Sequence, residues 1–379
     1  MKIALLTTDS REHFGEYERS APYFGTAPEA LLQGFAMLPE VEVHVVSCLQ
    51  KPVQSPEKIA PNIWFHGLHV PKSGWLRTGY QGCIRAIRNT LKQIQPDIVH
   101  GQGTERDCAI SAVLSGYPNV LTIHGNMQVI AGMQNARPLS FYWLAAKLER
   151  FSLQRTDGVV CITDYTRKNV TSLARRTWLV PNAVDASFFD IRPQEQPSPT
   201  MLYVGNISPR KNQNAFIEAM DGVSEMRKQR LVFLGSKDSN DPYAKRFDHL
   251  LAERPWCTYG GFADRERLKL YLSQAQLLVL ASLEDNCPMV VLEAMASGLP
   301  VIASEVGGIP ELITDRQTGF LCDPTNLDSM RTIVNQFLDD RALGQEIGVT
   351  ARKKALTSFH PKIIASHHLE IYRDVLARR

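Results

Sequence analysis

Two acidic residues, Asp285 and Glu293, stand eight positions apart in LLVLASLEDNCPMVVLEAMASGLPVIAS, residues 277 to 304. The segment reads as strand, loop, helix, turn and strand, with Pro288 suited to the first helical turn and Gly298 and Pro300 to the stop. Asp285 then lies in the loop and Glu293 inside the helix. Two carboxylates flanking the free N–H groups of a helix start suit a ligand with hydroxyls to bind beside phosphates to neutralise. A second segment, YVGNISPRKNQNAFIEAM at 203 to 220, supplies Arg210 and Lys211. His124 ends the apolar run NVLTIHG. Each group also has a structural reading: Asp285 as a helix cap, Arg210 and Lys211 as a solvated loop, Glu293 as an exposed helix residue, His124 as a hydrogen-bonded residue at a strand end.

Loops that present such groups need strands behind them. Short apolar runs alternate with helical segments: KIALLTT, PEALLQGFAML, VEVHVVS, a stretch ending IRAIRNTLKQI, DIVHGQG and NVLTIHG. That alternation predicts parallel sheet with crossover helices. The rhythm restarts after the polar, proline-bearing interval DIRPQEQPSPT, with TMLYVGN, RLVFLGS, QLLVLAS, PVIAS and FLCDP as buried strands. Two α/β domains joined near residue 190 follow from it; the alternative is one large doubly wound sheet with an insertion. Ligands of such sheets sit outside the carboxyl ends of the strands. The first strand is followed by a long loop, DSREHFGEYERSAPYFGTAPEA, which enters a helix through Gly25, and no G-x-G-x-x-G occurs there, so a nicotinamide enzyme is disfavoured.

In this order, the segments resemble the large family of retaining glycosyltransferases called glycosyltransferase family four, or glycosyl transferases group 1. Its acidic signature falls on Asp285 and Glu293, with Glu284 beside them; the first position, usually Glu, contacts the donor sugar, and the second binds the ribose hydroxyls. Lys211 falls on the lysine of the family's diphosphate clamp. Asn206 stands where its arginine usually is, with Arg210 as the nearest replacement. DIVHGQ at 97 to 102 and TIHGN at 122 to 126 resemble two strand ends, and His124 matches a histidine that faces the donor sugar. VPNAVDASFF, YGGFADRERLKLYLSQAQLLVLAS, SEVGGIPELI and TGFLCDP extend the likeness along the chain, and the helix around HHLEIYRDVL resembles a tail that crosses back to the first domain. The resemblance implies a GT-B fold, two Rossmann-like α/β domains facing each other across a cleft. Residues 1–189 would be the acceptor-side domain, 190–200 a linker, 201–358 the nucleotide-sugar domain and 359–379 the returning helix. It implies catalytic roles for His124, Asp285 and Lys211, and donor contacts from Gly25, Asn206, Arg210, Lys211, Phe262, Val290 and Glu293. The donor would be a UDP- or GDP-sugar. The acceptor would be a glycan, a lipid-linked glycan or a small molecule, in cell-surface polysaccharide or glycoconjugate synthesis. Two other readings stay open: a nucleotide-sugar epimerase or hydrolase on the same scaffold, and a catalytically weakened nucleotide-sugar-binding protein.

Composition narrows the rest. A formal charge of +3 on 379 residues gives no electrostatic footprint for nucleic acid. No stretch reaches the roughly 20 apolar residues that span a bilayer, and the first residues lack a signal-peptide pattern, so a cytoplasmic location is expected. Residues 137 to 176 are rich in Lys and Arg, and FYWLAAKLERF within them is amphipathic: either a peripheral contact with the inner face of a membrane or a helix packed in the first domain. The seven cysteines are scattered without a C-x-x-C pair and are expected to be structural. With no D-x-D triplet in the chain, no metal and no cofactor beyond the donor are expected.

Overall fold

The computed structural model describes residues 1–194, 200–223, 226 and 229–378. Two α/β units are present, each built on its own sheet. The first sheet contains β1 (Lys2–Leu6), β2 (Glu42–Leu49), β3 (Lys58–Ala60), β4 (Ile63–His69), β5 (Ile98–Gln102), β6 (Asn119–Ile123), β7 (Gly158–Cys161) and β8 (Thr177–Leu179), in the order β3-β4-β2-β1-β5-β6-β7-β8. Only β3 runs antiparallel to its neighbour. The second contains β9 (Thr200–Val204), β10 (Arg230–Leu234), β11 (Cys257–Gly261), β12 (Leu277–Leu280), β13 (Val301–Ser304) and β14 (Phe320–Cys322), all parallel, in the order β11-β10-β9-β12-β13-β14. Numbered within their unit these read 3-2-1-4-5-6, the Rossmann order, with the switch point between β9 and β12.

The first unit spans Met1–Ala183 and the chain from His360 onward; Val184–Phe359 form the second. The boundary differs from the expected linker at 190–200. Phe188 and Phe189 are buried, Asp185 pairs with Arg265 at 2.7 Å, and Gln194 N donates to Ser273 O at 2.7 Å, so residues 184–194 pack with the second unit despite their polar flank. Residues 195–199 of that interval lie outside the described residues. The long loop after β1 contains a short helix, Ser10–Phe14, because the Asp9 side chain caps it. Arg11, wholly buried, is held by Asp9 at 2.7 Å and donates to Arg19 O, Gln54 O and Ser55 Oγ, which fastens the loop from inside.

The last helix, Pro361–Ala377, lies on the first sheet beside the helix Thr26–Ala36. Ile364, Leu369, Ile371, Tyr372 and Val375 share one core with Ile3, Leu5, Leu31 and Phe35. Gly34 sets the distance between the helices: a Cβ there would come 2.1 Å from Pro361 O. Alanine improves an exposed helix by about 1 kcal/mol over glycine, but a backbone carbonyl cannot move aside as a side chain can. Gly34→Ala is therefore expected to lower stability by about 1–3 kcal/mol; a midpoint in urea equal to or above that of the wild type would show that the two helices do not meet at this distance.

Candidate active site

The site of the second unit is built at its switch point, from the loops that follow β9 and β12. Tyr203 of β9 is fully buried, and its hydroxyl joins both loops: it donates to Lys211 O and accepts from Ala281 N at 2.9 Å. Leu283 N donates to Arg210 O at 2.8 Å. Arg210 and Lys211 thus stand against Glu284 and Asp285, 74 positions later in the chain. Lys211 Nζ pairs with Asp285 Oδ2, its side chain only 13% exposed. Arg210 Nη1 lies 3.4 Å from Glu284 Oε2 and 3.6 Å from Asp285 Oδ1, and donates to Glu284 O at 3.0 Å. Burial pushes the Glu284 carboxyl up, against the pull of Arg210. The solvated-loop reading fails for Lys211 and holds in part for Arg210, whose side chain is 48% exposed.

Asp285 does not cap the following helix. That helix is Met289–Ser297; its N-cap is Pro288, outside the first turn where the sequence suggested it, and the cap makes no side-chain hydrogen bond to the helix. Asp285 Oδ1 accepts from Asn286 N at 3.2 Å, and its carbonyl accepts from Gly308 N at 3.1 Å. Gly307 makes that approach possible: its φ is +56°, and a Cβ would meet Asp285 O at 1.9 Å. Val290, half-buried, is the second residue of the uncapped helix.

Glu293, one turn further, is buried rather than exposed. Burial raises its carboxyl to about 7; the Arg265 charge opposes the rise and Asp185 adds to it. Phe262, just past β11, is 62% exposed, an apolar ring presented to solvent at a strand end, and Arg267 donates to its carbonyl at 3.0 Å. Asn206, past β9, is exposed; its Oδ1 accepts from Ser236 N at 3.3 Å, so it carries no charge to the loop and braces the β10 end instead.

Gly25 and His124 belong to the first unit. Gly25 precedes the Thr26–Ala36 helix without a side-chain cap, and Ala27 of that helix lines a small pocket with His124, Gln102, Asn182 and His368. His124 Nε2 lies 2.8 Å from Gln102 Oε1, and burial lowers its pKa to about 4, opposed by a hydrogen bond with Asn182. Away from both groups, Cys48, Cys83 and Asp107 bring potential ligand atoms within 4.8 Å of one another. A hydrogen bond with Cys83, and then burial, push the Cys48 thiol well above its ordinary value. All seven cysteines are buried. The helix Phe141–Leu153 buries Ala145, Glu149, Ser152 and Leu153 and leaves Phe141 and Tyr142 exposed.

Sequence reading missed Tyr203, Arg265 and Gly307. Tyr203 was visible only as one more apolar strand residue; a tyrosine at the end of a buried run, whose hydroxyl needs a partner, was the available signal. The raised pKa of Glu293 has a thermodynamic consequence. A folded-state value above the unfolded one contributes stability that is fully present below about 4.5 and is lost as pH rises toward about 7. The stability of Glu293→Gln relative to wild type should therefore improve by roughly 2–3 kcal/mol between pH 4.5 and 8. Urea unfolding across that range tests it, and a pH-independent difference would contradict the burial of an ionisable group here.

Residues 186–354 match the family model for glycosyl transferases group 1, and residues 30–188 match the model for glycosyltransferase family 4. An uncharacterized glycosyltransferase of Methanocaldococcus jannaschii is 31% identical over 46% of this chain, and the match spans 44% of that relative, less than half its length. Sucrose-phosphate synthase from Thermosynechococcus elongatus superposes with a TM-score of 0.79 over 100% of both chains at 20% identity. HepE of Anabaena, solved in complex with UDP-glucose, superposes at 0.71 over 99% of this chain and 100% of its own, at 15% identity. Both are similar in fold. With one family model on each unit and Rossmann-type parallel sheets in both, the chain belongs to the group 1 glycosyltransferases of family four and has their GT-B fold.

Proposed function

We propose that the chain transfers a hexose-type sugar, with retention of anomeric configuration, from a UDP- or GDP-sugar to a glycan, lipid-linked or small-molecule acceptor. The observation that carries this reading is the Arg210–Lys211 pair held against Asp285 beside an uncapped helix start, with Glu293 one turn along that helix. Cations and free amides suit the diphosphate, and carboxylates suit sugar and ribose hydroxyls. The exposed ring of Phe262 gives a base a surface to stack on. The complex of HepE with UDP-glucose makes uridine the first base to test. Sugar transfer of this kind would serve cell-surface polysaccharide or glycoconjugate synthesis.

In this mechanism the acceptor hydroxyl attacks on the face from which the diphosphate departs. The bond from the anomeric carbon to the phosphate oxygen breaks, the bond to the acceptor oxygen forms, and the acceptor proton passes to a phosphate oxygen. Lys211 and Arg210 neutralise the leaving group, so no metal is needed for that step. An incoming diphosphate offers Lys211 a more highly charged partner than Asp285, which frees the carboxylate to orient the sugar. The family resemblance gives His124 the donor sugar as its partner.

Lys211→Ala should lower the rate of donor consumption at saturating nucleotide sugar by roughly a hundredfold. Arg210→Ala, more exposed and shared with Glu284, should cost less. A near-wild-type rate for Lys211→Ala would remove the proposed clamp. Peripheral membrane contact is also part of the proposal: Phe141, Tyr142 and Leu139, the last 77% exposed, lie close in sequence to Arg137, Lys147 and Arg150. Flotation with anionic vesicles at low salt should carry the protein upward and fail with neutral vesicles; equal recovery in both would count against an electrostatic contact.

A further inference from the structure

A chain of side-chain hydrogen bonds runs through the first unit behind His124. His124 Nε2 lies 2.8 Å from Gln102 Oε1, Gln102 Nε2 lies 3.1 Å from His100 Nε2, and His100 Nδ1 lies 2.6 Å from the Tyr372 hydroxyl of the last helix. The Thr122 hydroxyl lies 2.7 Å from His100 Nε2. Gln102, His100, Thr122 and Tyr372 are all buried. Burial lowers the pKa of both imidazoles, well below the usual value for His100 and to about 4 for His124, so each ring is neutral at pH 7 and carries one proton.

An amide has one end that only accepts and one that only donates, so a single orientation of Gln102 sets both rings at once. With Oε1 toward His124, that ring must hold its proton on Nε2. With the NH2 toward His100, the Nε2 of that ring must be bare, and its proton sits on Nδ1 and is donated to Tyr372. The Thr122 hydroxyl lies 2.7 Å from the same nitrogen. Turning the amide over would reverse both tautomers, with Tyr372 then donating to His100 Nδ1 instead of accepting from it.

We infer that Gln102 is a positioning residue that fixes His124 as its Nε2–H tautomer. His124 Nδ1 is then an acceptor, able to receive a hydrogen bond from Asn182 or from a ligand hydroxyl but not to give one. The tautomer is a property of the chain alone; only its kinetic effect rests on the proposed role of His124 in sugar transfer.

Imidazole nitrogen shifts of the full-length protein, labelled at histidine, test the inference. At pH 7 the wild type should show His124 protonated at Nε2. Gln102→Leu removes the acceptor and should give a mixture of tautomers, with turnover roughly tenfold lower and donor KM nearly unchanged. Gln102→Glu keeps an acceptor for Nε2–H and adds a charge, so it should retain the tautomer while raising the His124 pKa by about one unit or more and moving the acid limb of the rate profile upward. The other imidazoles beside His124, His100 and His368, are both held neutral by burial and do not supply that shift. An Nδ1–H ring in the wild type, or a Gln102→Leu protein with unchanged shifts, would overturn the inference. A changed tautomer in Gln102→Leu together with full activity of His124→Ala would instead overturn the sugar-binding role of His124 and leave the positioning by Gln102 standing.

Discussion

The phenol of Tyr203 is the constraint on which the second unit's site depends. It lies in the sheet's first strand, at the switch point, where the chains leaving β9 and β12 would otherwise diverge to opposite faces. Its hydroxyl is buried, and leaving it unpaired would cost about 1–3 kcal/mol. Meeting that requirement with Lys211 O on one side and Ala281 N on the other ties the two loops to each other. Arg210 and Lys211 cannot drift from Glu284 and Asp285 without breaking it. The loop after β13 adds a third tie, because only a glycine at 307 lets its backbone reach Asp285 O.

The charges held this way are balanced: two cations face two carboxylates, and the more deeply buried cation, Lys211, has the closer partner. A buried ammonium left alone would carry a desolvation penalty of several kcal/mol. Pairing it with Asp285 removes most of that penalty. Asn206, bonded to Ser236 N, adds no charge to this balance.

Much of this was legible in the sequence, and the limits have physical causes. The strands that carry the site are continuous apolar runs because parallel sheets are covered on both faces, and such runs stand out. β7, β8 and β11 do not: GVVC and TWL are too short to show a period, and CTYGG ends in glycines. The domain boundary was misplaced because the polar interval at 190–200 drew attention from Phe188 and Phe189, whose burial assigns residues 184–194 to the second unit. Residue types at the site were readable from their spacing. Their partners were not, since Lys211 meets Asp285 across 74 positions and Glu293 feels Arg265 and Asp185 only in three dimensions.

Two buried glutamates show why a raised pKa does not by itself mark a site. Burial raises both Glu149 and Glu293. Glu149 accepts from Thr104 Oγ1 at 2.5 Å, Met127 N at 3.0 Å and Gln128 N at 3.1 Å, a set that fixes the turn following His124. Its hydrogen bonds come from the chain itself, and it is structural. Glu293 is offset chiefly by the charge of Arg265, and that charge is shared with Asp185 at 2.7 Å. The result is a carboxyl near neutrality, poised between its two forms. In the proposed role, two ribose hydroxyls donating to the ionised form would contribute about 1.5–3 kcal/mol each, as much as or more than the burial penalty against ionisation. Binding would then be coupled to loss of one proton, and a helix position that is costly to ionise without nucleotide becomes favourable to ionise with it.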